Sequence, residues 1–138
     1  MDASPLSQWL EAIDRLDADA AGSMLAPDVH LLTADGQQAR GASAVGELTA
    51  DFISRLRSVS HQVSAQWHID DVWIAEVEVT YELTDHFQTG RLPRVVIVRA
   101  APAGITELRV YGAHERPLTE HPTGEEGMWV GGRWVPPL

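Results

Sequence analysis

Cysteine and lysine are both missing from the sequence, and each absence excludes classes of function. Cysteine is absent, which excludes a disulfide framework and any thiolate nucleophile or thiolate metal site. Lysine is absent as well: all ten cations are arginine, against twenty acids, so the net charge is -10. No basic cluster is available to displace phosphate counterions, so we expect neither nucleic acid nor an anionic membrane surface as a partner.

Long apolar runs and a basic leader are also missing. No run approaches the roughly 20 apolar residues that a membrane-spanning helix needs. The segment Met1 to Pro5 has no basic residue and no apolar block follows it, so we expect no secretory signal and a cytoplasmic location. The sequence does contain an apolar fraction of 44% over 138 residues, which predicts a single folded domain with a hydrophobic core.

The first part of the chain shows helical spacing. Ser4-Pro5 is typical of a helix start, because serine caps the first turn and proline fits its first position. Asp19 is predicted to cap a short second helix that Pro27 ends. A strand is predicted at Val29 to Ala34, and a third helix after Gly41. The apolar stripes of the first and third helices are Leu6, Trp9, Leu10, Ile13 and Leu16, and Val45, Leu48, Phe52 and Leu56.

Beyond Ser58 the apolar period changes to two, which indicates strands. The clearest strand alternates from Trp73 to Leu83. Further strands are predicted at His61 to Trp67, Leu92 to Arg99 and Ile105 to His114. Helices followed by consecutive strands with short connections predict an α+β domain with an antiparallel sheet.

The order of these elements, together with several short motifs, resembles the nuclear-transport-factor-2-like superfamily, and within it the SnoaL-like proteins. The motifs are DADAAGSMLAPDV (17–29), RGASAV (40–45), VEVTYEL (77–83), LPRVVIVRA (92–100) and ELRVYGAHERPL (107–118). The resemblance implies a cone-shaped domain over residues 1–118, in which three N-terminal helices pack on a curved antiparallel sheet that encloses a pocket. Residues 119–138 would then form a C-terminal extension.

Members of this superfamily include polyketide cyclases, ketosteroid isomerases, epoxide hydrolases, dehydratases and proteins that only bind or assemble, so the resemblance does not fix an activity. Trp9 stands where the ketosteroid isomerases have a tyrosine, Thr33 where they have the base, and Val95 where they have a protonated acid. None of these side chains supplies the required function, so we expect no such isomerase activity. Asp35 is the carboxylate near enough to replace the base.

The candidates for proton transfer are His114, His61 and Asp35. SnoaL-type cyclases use an acid late in the final strand, and His114 lies in that neighbourhood, on the face that Leu108 and Val110 are predicted to turn inward. An imidazole with an ordinary pKa of about 6.5 suits proton transfer. Each histidine also has a structural interpretation. His114 would mark a strand end that meets solvent, and His61 would be a partly buried histidine that hydrogen-bonds to backbone.

The predicted pocket wall combines aromatic, hydroxyl and aliphatic side chains. Tyr81 lies on the inward face of its strand, where its hydroxyl is available to a ligand. The residues predicted to contact a ligand are Trp9, Thr33, Trp67, Tyr81, Val95, Leu108 and Val110. We expect no cofactor, and no metal, because none of the six histidines forms a His-x-x-x-His or similar pair with a nearby acid.

These features leave two functions open. The first is a small-molecule-binding protein with an apolar pocket, whose partner is a small apolar organic molecule. The alternative is an enzyme of the cyclase, isomerase or hydrolase type that acts by proton transfer on a hydrophobic polyketide- or terpenoid-like substrate. The scarcity of inward carboxylates favours binding, whereas the inward histidine and tyrosine favour catalysis.

Assembly is predicted from the outer face of the sheet. Glu76, Glu78 and Glu82 make one strand acidic on that face. Its neighbour is predicted to be apolar there, through Val96 and Val98. An exposed apolar strip on a sheet usually meets a partner, so we expect a symmetric homodimer through the sheet.

The extension after residue 118 carries two tryptophans. Gly131-Gly132 predicts a tight hairpin turn between Trp129 and Trp134. A disordered tail is expected to be poor in aromatics, and a lone hairpin is unstable by itself. We therefore expect the hairpin to pack either over the pocket entrance or on a partner protomer.

Overall fold

The computed structural model describes residues 4–113 and the backbone of two short strands at 128–130 and 133–135. In chain order the elements are α1 (Pro5–Asp14), α2 (Ala18–Ser23), β1 (Leu25–Leu32), β2 (Gln38–Arg40), α3 (Ala42–Ser54), β3 (Leu56–Ile69), β4 (Val72–Leu83), β5 (Leu92–Ala101), β6 (Gly104–Gly112), β7 (Met128–Val130) and β8 (Arg133–Val135). The predicted α+β class is confirmed. None of the helices that the structure describes is long and apolar enough to cross a membrane.

Side-chain caps explain where the first two helices begin. The Ser4 hydroxyl accepts a hydrogen bond from the Ser7 backbone N–H at 3.1 Å, and Pro5 occupies the first turn of α1. In α2 the cap is Asp17, whose side chain accepts from a backbone N–H at 3.0 Å. The predicted cap, Asp19, lies in the first turn instead, because the chain enters α2 two residues earlier than the sequence predicted.

Gly41 precedes α3 with a φ of 89°, a conformation that glycine adopts without strain. The helix buries Val45 and Ile53. Leu56, which the apolar stripe predicted on the same helix face, is instead the buried first residue of β3. The backbone leaves the helix at Arg55, so Leu56 reaches the same core from a strand.

The strands β1 to β6 form one curved, open sheet in the order β2-β1-β6-β5-β4-β3. β3 to β6 run antiparallel in sequence, as the short connections predicted. β1, however, pairs with β6 in parallel, with Leu31 opposite Leu108, so the prediction of a wholly antiparallel sheet is wrong. These two strands are far apart in the chain, and no hairpin fixes their relative direction. β1 also starts earlier than the predicted strand, Val29 to Ala34.

The inner face of the sheet is the one that contacts α1. It carries Val77, Val79 and Tyr81 of β4, all at most 7% exposed. In β5 the inner residues include Val96 and Val98, which are buried as well. The prediction that these two valines form an outer apolar strip is therefore wrong. β5 is apolar on both faces, so its sequence pattern alone does not distinguish them.

The outer face nevertheless carries an apolar surface, which we call the outer apolar patch. It consists of Trp67, Ile69, Ile74, Ile97 and Tyr111. Cross-strand pairs hold its centre on one face, because Trp67 lies opposite Ile74 and Ile74 opposite Ile97. Trp67, Ile69 and Tyr111 are 47%, 67% and 41% exposed.

A β-bulge at Ser64 explains why Trp67 lies on the outer face. Before the bulge, Val63 pairs with an inner residue of β4. Beyond it, one extra residue in β3 shifts the pairing, so Gln66 lies opposite the buried Ala75. A shift of one residue moves every later side chain to the other face. Trp67 therefore leaves the inner face on which the sequence predicted it.

β7 and β8 pair antiparallel, with Trp129 opposite Trp134. The predicted packing of this hairpin on the pocket entrance or on a partner depends on side chains outside the described residues.

Candidate functional site

A cavity of about 150 Å³ lies between the inner face of the sheet and the helices α1 and α3, and it is partly open to solvent. Most of its wall is apolar. The apolar wall includes Trp9 and Ile13 from α1, Phe52 from α3, and Val96, Leu108 and Val110 from the sheet. Three groups of polar side chains interrupt this surface, as does the single buried threonine of α3, Thr49.

The first polar group is a carboxylate–imidazole pair. Asp14 Oδ1 lies 2.6 Å from His61 Nδ1, and Asp14 Oδ2 accepts the His61 backbone N–H at 3.1 Å. An ionised carboxylate only accepts hydrogen bonds, so the hydrogen on Nδ1 points to Asp14. In the neutral ring this leaves Nε2 as an acceptor. Nε2 has no hydrogen-bond partner among residues 4–113, and His61 lines the cavity, so this nitrogen is available to a bound molecule.

The second polar group is a cation with a tyrosine. Arg94 Nε donates to the Ala113 carbonyl at 2.9 Å, and the guanidinium hydrogen-bonds to the Tyr81 side chain. Tyr81 also makes an edge-to-face contact with Phe52, with ring centroids 6.3 Å apart. Burial lowers the pKa of Arg94 below its ordinary value, an effect that Tyr81 and Asp35 oppose. A positive charge is thus fixed within a mostly apolar wall.

The third polar group is the turn that follows β1. The Thr33 hydroxyl donates to Asp35 Oδ1, and Gln37 Nε2 donates to Asp35 Oδ2 at 3.0 Å. The Gln37 backbone N–H donates to Thr33 Oγ1 at 2.9 Å. Both oxygens of Asp35 are therefore bound by residues of its own turn, which fixes the carboxylate at the cavity wall.

Seven of the residues predicted for the site line this cavity. They are the proton-transfer candidates His61 and Asp35, and the predicted ligand contacts Trp9, Thr33, Tyr81, Leu108 and Val110. The remaining proton-transfer candidate, His114, lies outside the described residues.

Trp67 and Val95 were predicted to contact a ligand, but neither lines the cavity. Trp67 belongs to the outer apolar patch. Val95 lies opposite Tyr111 on the outer face, whereas its neighbours Arg94 and Val96 line the cavity. The ketosteroid isomerase comparison therefore used a position one residue away from the wall. Neither inward neighbour is a carboxylic acid.

Arg94, Asp14 and Gln37 contribute to the site, and sequence reasoning did not select them. Arg94 had a signal, since it is the charged member of an alternating series with Leu92 and Val96 that is otherwise apolar. Asp14 had none, because its role depends on the end of α1 meeting β3, which lies much later in the chain. Gln37 reaches the cavity only through the shape of its turn.

Residues 4–113 contain no group of three or more histidine, aspartate or glutamate side chains that could hold a metal ion. The groups that are present surround an apolar space with an oriented imidazole, a guanidinium and a tyrosine. Together they can accept a proton from a bound molecule and hydrogen-bond to its oxygen atoms.

Comparisons with known proteins agree with the fold. The family model described as the SnoaL-like domain matches residues 6–112. A comparison with curated proteins finds no match. One similar solved structure is a hypothetical protein from Catenulispora acidiphila, which has a ketosteroid isomerase-like fold and is in complex with trimethylamine. It is 16% identical to this chain. The alignment covers 80% of this chain and 86% of that one, with a TM-score of 0.71.

Two further structures are similar. An LEH-like epoxide hydrolase from M. tuberculosis is 14% identical, with 78% of this chain and 75% of that chain covered and a TM-score of 0.69. An NTF2-like protein of unknown function from Exiguobacterium is 14% identical, with 79% and 98% covered and a TM-score of 0.66. At these identities the similarity shows a shared fold and leaves the activity open.

Proposed function

The chain belongs to the SnoaL-like domain family, and on that premise we propose that its cavity binds a small, mostly apolar organic molecule. The observation that carries the proposal is the cavity itself, with apolar walls and a few polar groups that converge on one space. Ligand sites typically combine a largely apolar lining with a small number of placed polar groups.

The size of the cavity limits the ligand. An engineered cavity of about 150 Å³ lined by apolar side chains binds benzene. The cavity of this protein has a similar volume of about 150 Å³ and is partly open. A molecule built around a single ring, or a short branched chain, is therefore the size class that we propose.

Thermal unfolding with toluene and with benzamide tests this proposal. A ligand at about 100 times its Kd stabilises the folded state by about 2.7 kcal/mol, which raises the Tm. Val110→Trp fills the cavity and should abolish the shift. Val63→Trp is the matched control, because Val63 is 43% exposed and does not line the cavity. The absence of a shift with both probes in the unmodified protein would contradict the proposal.

Proton-transfer catalysis is the second candidate function, and the Asp14–His61 pair favours it. A histidine held by a carboxylate keeps one ring nitrogen directed to that partner and leaves the other as a base. General acid–base catalysis contributes typically about 10²–10⁴-fold to a rate. The substrate would be hydrophobic and polyketide- or terpenoid-like. A base of this kind could serve a cyclase, an isomerase or a hydrolase reaction. The similar epoxide hydrolase supports a hydrolytic variant of this candidate.

Exchange of the methyl protons of acetophenone in D₂O, followed by NMR, tests the second candidate. The ring suits the apolar wall, and the protons beside the carbonyl report removal by a base. His61→Gln should lower an enzyme-dependent exchange rate by about 100-fold or more. His68→Gln is the control, since His68 is exposed and does not line the cavity. An exchange rate equal to that of buffer would argue for binding without proton transfer.

The proposal also includes a symmetric homodimer that buries the outer apolar patch, and the cytoplasmic location expected from the sequence. The exposed members of the patch support the dimer, because contiguous apolar surface on a sheet commonly marks an interaction site. Cell fractionation tests the location.

A further inference from the structure

Arg94 is an unusual member of the cavity wall. It lies on the inner face of β5, in alternation with Leu92 and Val96, both of which are buried. Arg94 is therefore a cation at a strand position whose neighbours on the same face are buried aliphatic side chains. Removing a charge from water costs free energy unless the charge is paired. The groups that pair with Arg94 therefore indicate its role.

The partners of Arg94 within residues 4–113 are neutral. Its Nε donates to the Ala113 carbonyl, and the guanidinium hydrogen-bonds to Tyr81. None of the ion pairs formed by the described residues includes Arg94. A guanidinium has several N–H donors and no acceptor, so further donors remain for a molecule in the cavity.

The carboxylates at the cavity are committed to other groups. Asp14 uses both oxygens on His61, one on the ring and one on the backbone N–H. Asp35 uses both oxygens on Thr33 and Gln37. Asp35 is near enough to raise the pKa of Arg94, yet the two form no direct ion pair. Among residues 4–113, no carboxylate thus forms a direct ion pair with the Arg94 guanidinium at the cavity wall.

We propose that the ligand of this cavity is a small carboxylic acid, bound as the carboxylate, with its two oxygens on the Arg94 guanidinium and its apolar body against Trp9 and Val110. Arginine binds carboxylates through paired, parallel N–H···O bonds that fix the orientation of the acid. This inference rests on the proposed function, because it names the chemical class of the molecule that the cavity binds.

The acidic surface does not prevent an anion from binding here. The protein carries a net charge of -10, which repels anions at long range. At physiological ionic strength this repulsion is screened beyond a Debye length of about 8 Å. The contact with Arg94 is short and partly shielded from water, so the local attraction determines the affinity.

Three planar molecules of nearly equal shape test the charge preference. Benzoate is an anion, benzamide is neutral and benzamidine is a cation. Titration calorimetry with the full chain at neutral pH should give a Kd for benzoate at least about tenfold lower than for benzamide, with benzamidine the weakest. Added salt should weaken benzoate more than benzamide.

Substitutions assign the preference to Arg94. Arg94→Met should remove the benzoate preference while leaving the Kd of benzamide within about threefold. Arg94→Lys should retain part of the preference, because the charge remains and the paired geometry is lost. Arg99→Met is the matched control, since Arg99 lies on the outer face of the same strand and pairs with Asp71 and Glu107. It should leave all three affinities unchanged.

Each outcome has a separate meaning. If benzamide or benzamidine binds at least as tightly as benzoate, the carboxylate inference is wrong while the binding function stands. If Arg94→Met keeps the preference, the anion binds elsewhere and the inference is also wrong. If none of the three molecules binds but toluene does, the inference is wrong and the binding function stands; if toluene does not bind either, both fail. The comparison in the unmodified protein decides the charge preference even if Arg94→Met does not fold.

Discussion

At the scale of single residues, the Asp14–His61 pair shows how a helix end determines the state of a side chain on a strand. The carboxylate accepts from both the ring and the backbone of the same histidine. It therefore fixes the rotamer and, in the neutral ring, the tautomer. The His61 side chain is only 11% exposed, whereas the Asp14 side chain is 31% exposed, so the ring is shielded from water while the carboxylate stays partly solvated.

Asp14→Asn should switch the tautomer of His61. The single carbonyl oxygen of asparagine can accept the His61 backbone N–H, and its amide group then donates to Nδ1. Nδ1 becomes the acceptor and the ring hydrogen moves to Nε2. Ring ¹⁵N chemical shifts, measured at about pH 9, well above the ordinary histidine pKa, distinguish the two forms. Asp14→Ala should cost about 1–3 kcal/mol of unfolding free energy, because it leaves the His61 donors unpaired.

Asp17→Asn is the control for this experiment. Asp17 caps α2 through a backbone N–H, and asparagine caps helices about as well. The His61 shifts should then match those of the unmodified protein. Identical His61 shifts in Asp14→Asn and the unmodified protein would show that Asp14 does not set the tautomer.

At the scale of elements, the turn between β5 and β6 holds β1 in place. Gly104 has a φ of 128°, and its neighbour Ile105 donates a backbone hydrogen bond to the Met24 carbonyl at 2.8 Å. A Cβ at position 104 would lie 2.7 Å from that carbonyl oxygen and 2.9 Å from the Ala26 nitrogen. Both atoms belong to backbone, so neither can rotate away.

Gly104→Ala should therefore destabilise the protein by about 1–3 kcal/mol or more, as expected for a strained backbone position. Urea unfolding measures the change. Gly46→Ala is a control with the opposite sign, because Gly46 lies in α3 with no atom within 4 Å of an added Cβ. It should stabilise by about 0.5–1 kcal/mol. Equal effects of the two substitutions would contradict the role given to Gly104.

The elements also show how far sequence reasoning reaches. Ser4-Pro5 predicted the start of α1, and the alternation from Trp73 to Leu83 predicted β4 and the inward Tyr81, because these signals are local. The parallel direction of β1 depends on a partner late in the chain. The outward position of Trp67 depends on a bulge at Ser64. The alternation of apolar and polar residues in β3 continues through the bulge, so the sequence pattern does not reveal it.

The site follows the same division. Residues on strands with one buried face, such as Tyr81 and Leu108, could be assigned to the cavity from their period. Val95 was chosen from the resemblance to the ketosteroid isomerases, and because both faces of β5 are apolar, the period could not show that Arg94 and Val96 line the cavity instead. The pairing of Asp14 with His61 joins a helix and a strand, and a single sequence contains no record of that contact.

At the scale of the whole molecule, the outer apolar patch determines how copies of the chain would associate. Trp67→Glu should convert the proposed homodimer to a monomer, because it places a charge within the buried surface. Analytical ultracentrifugation at micromolar concentration measures the change in mass. The cavity lies on the opposite face of the sheet, so probe binding by the monomer should persist unless the partner contributes to the site.

Ala50→Glu is the control for the change of charge, since Ala50 is exposed on α3, away from the patch. It should leave the mass unchanged. A monomeric unmodified protein would contradict the proposed assembly, and so would a dimer that survives Trp67→Glu.

The parallel pairing of β1 with β6 has a consequence for how the cavity forms during folding. β3 to β6 join near neighbours in the chain, whereas Leu31 meets Leu108 only after the intervening chain has closed a long loop, which carries an entropic cost. The antiparallel strands are therefore expected to order first, and β1 to dock later with the helices that flank it. The part of the cavity wall formed by Leu31 and Thr33 then belongs to the unit that docks last, and local opening of this unit is expected to widen the cavity without global unfolding.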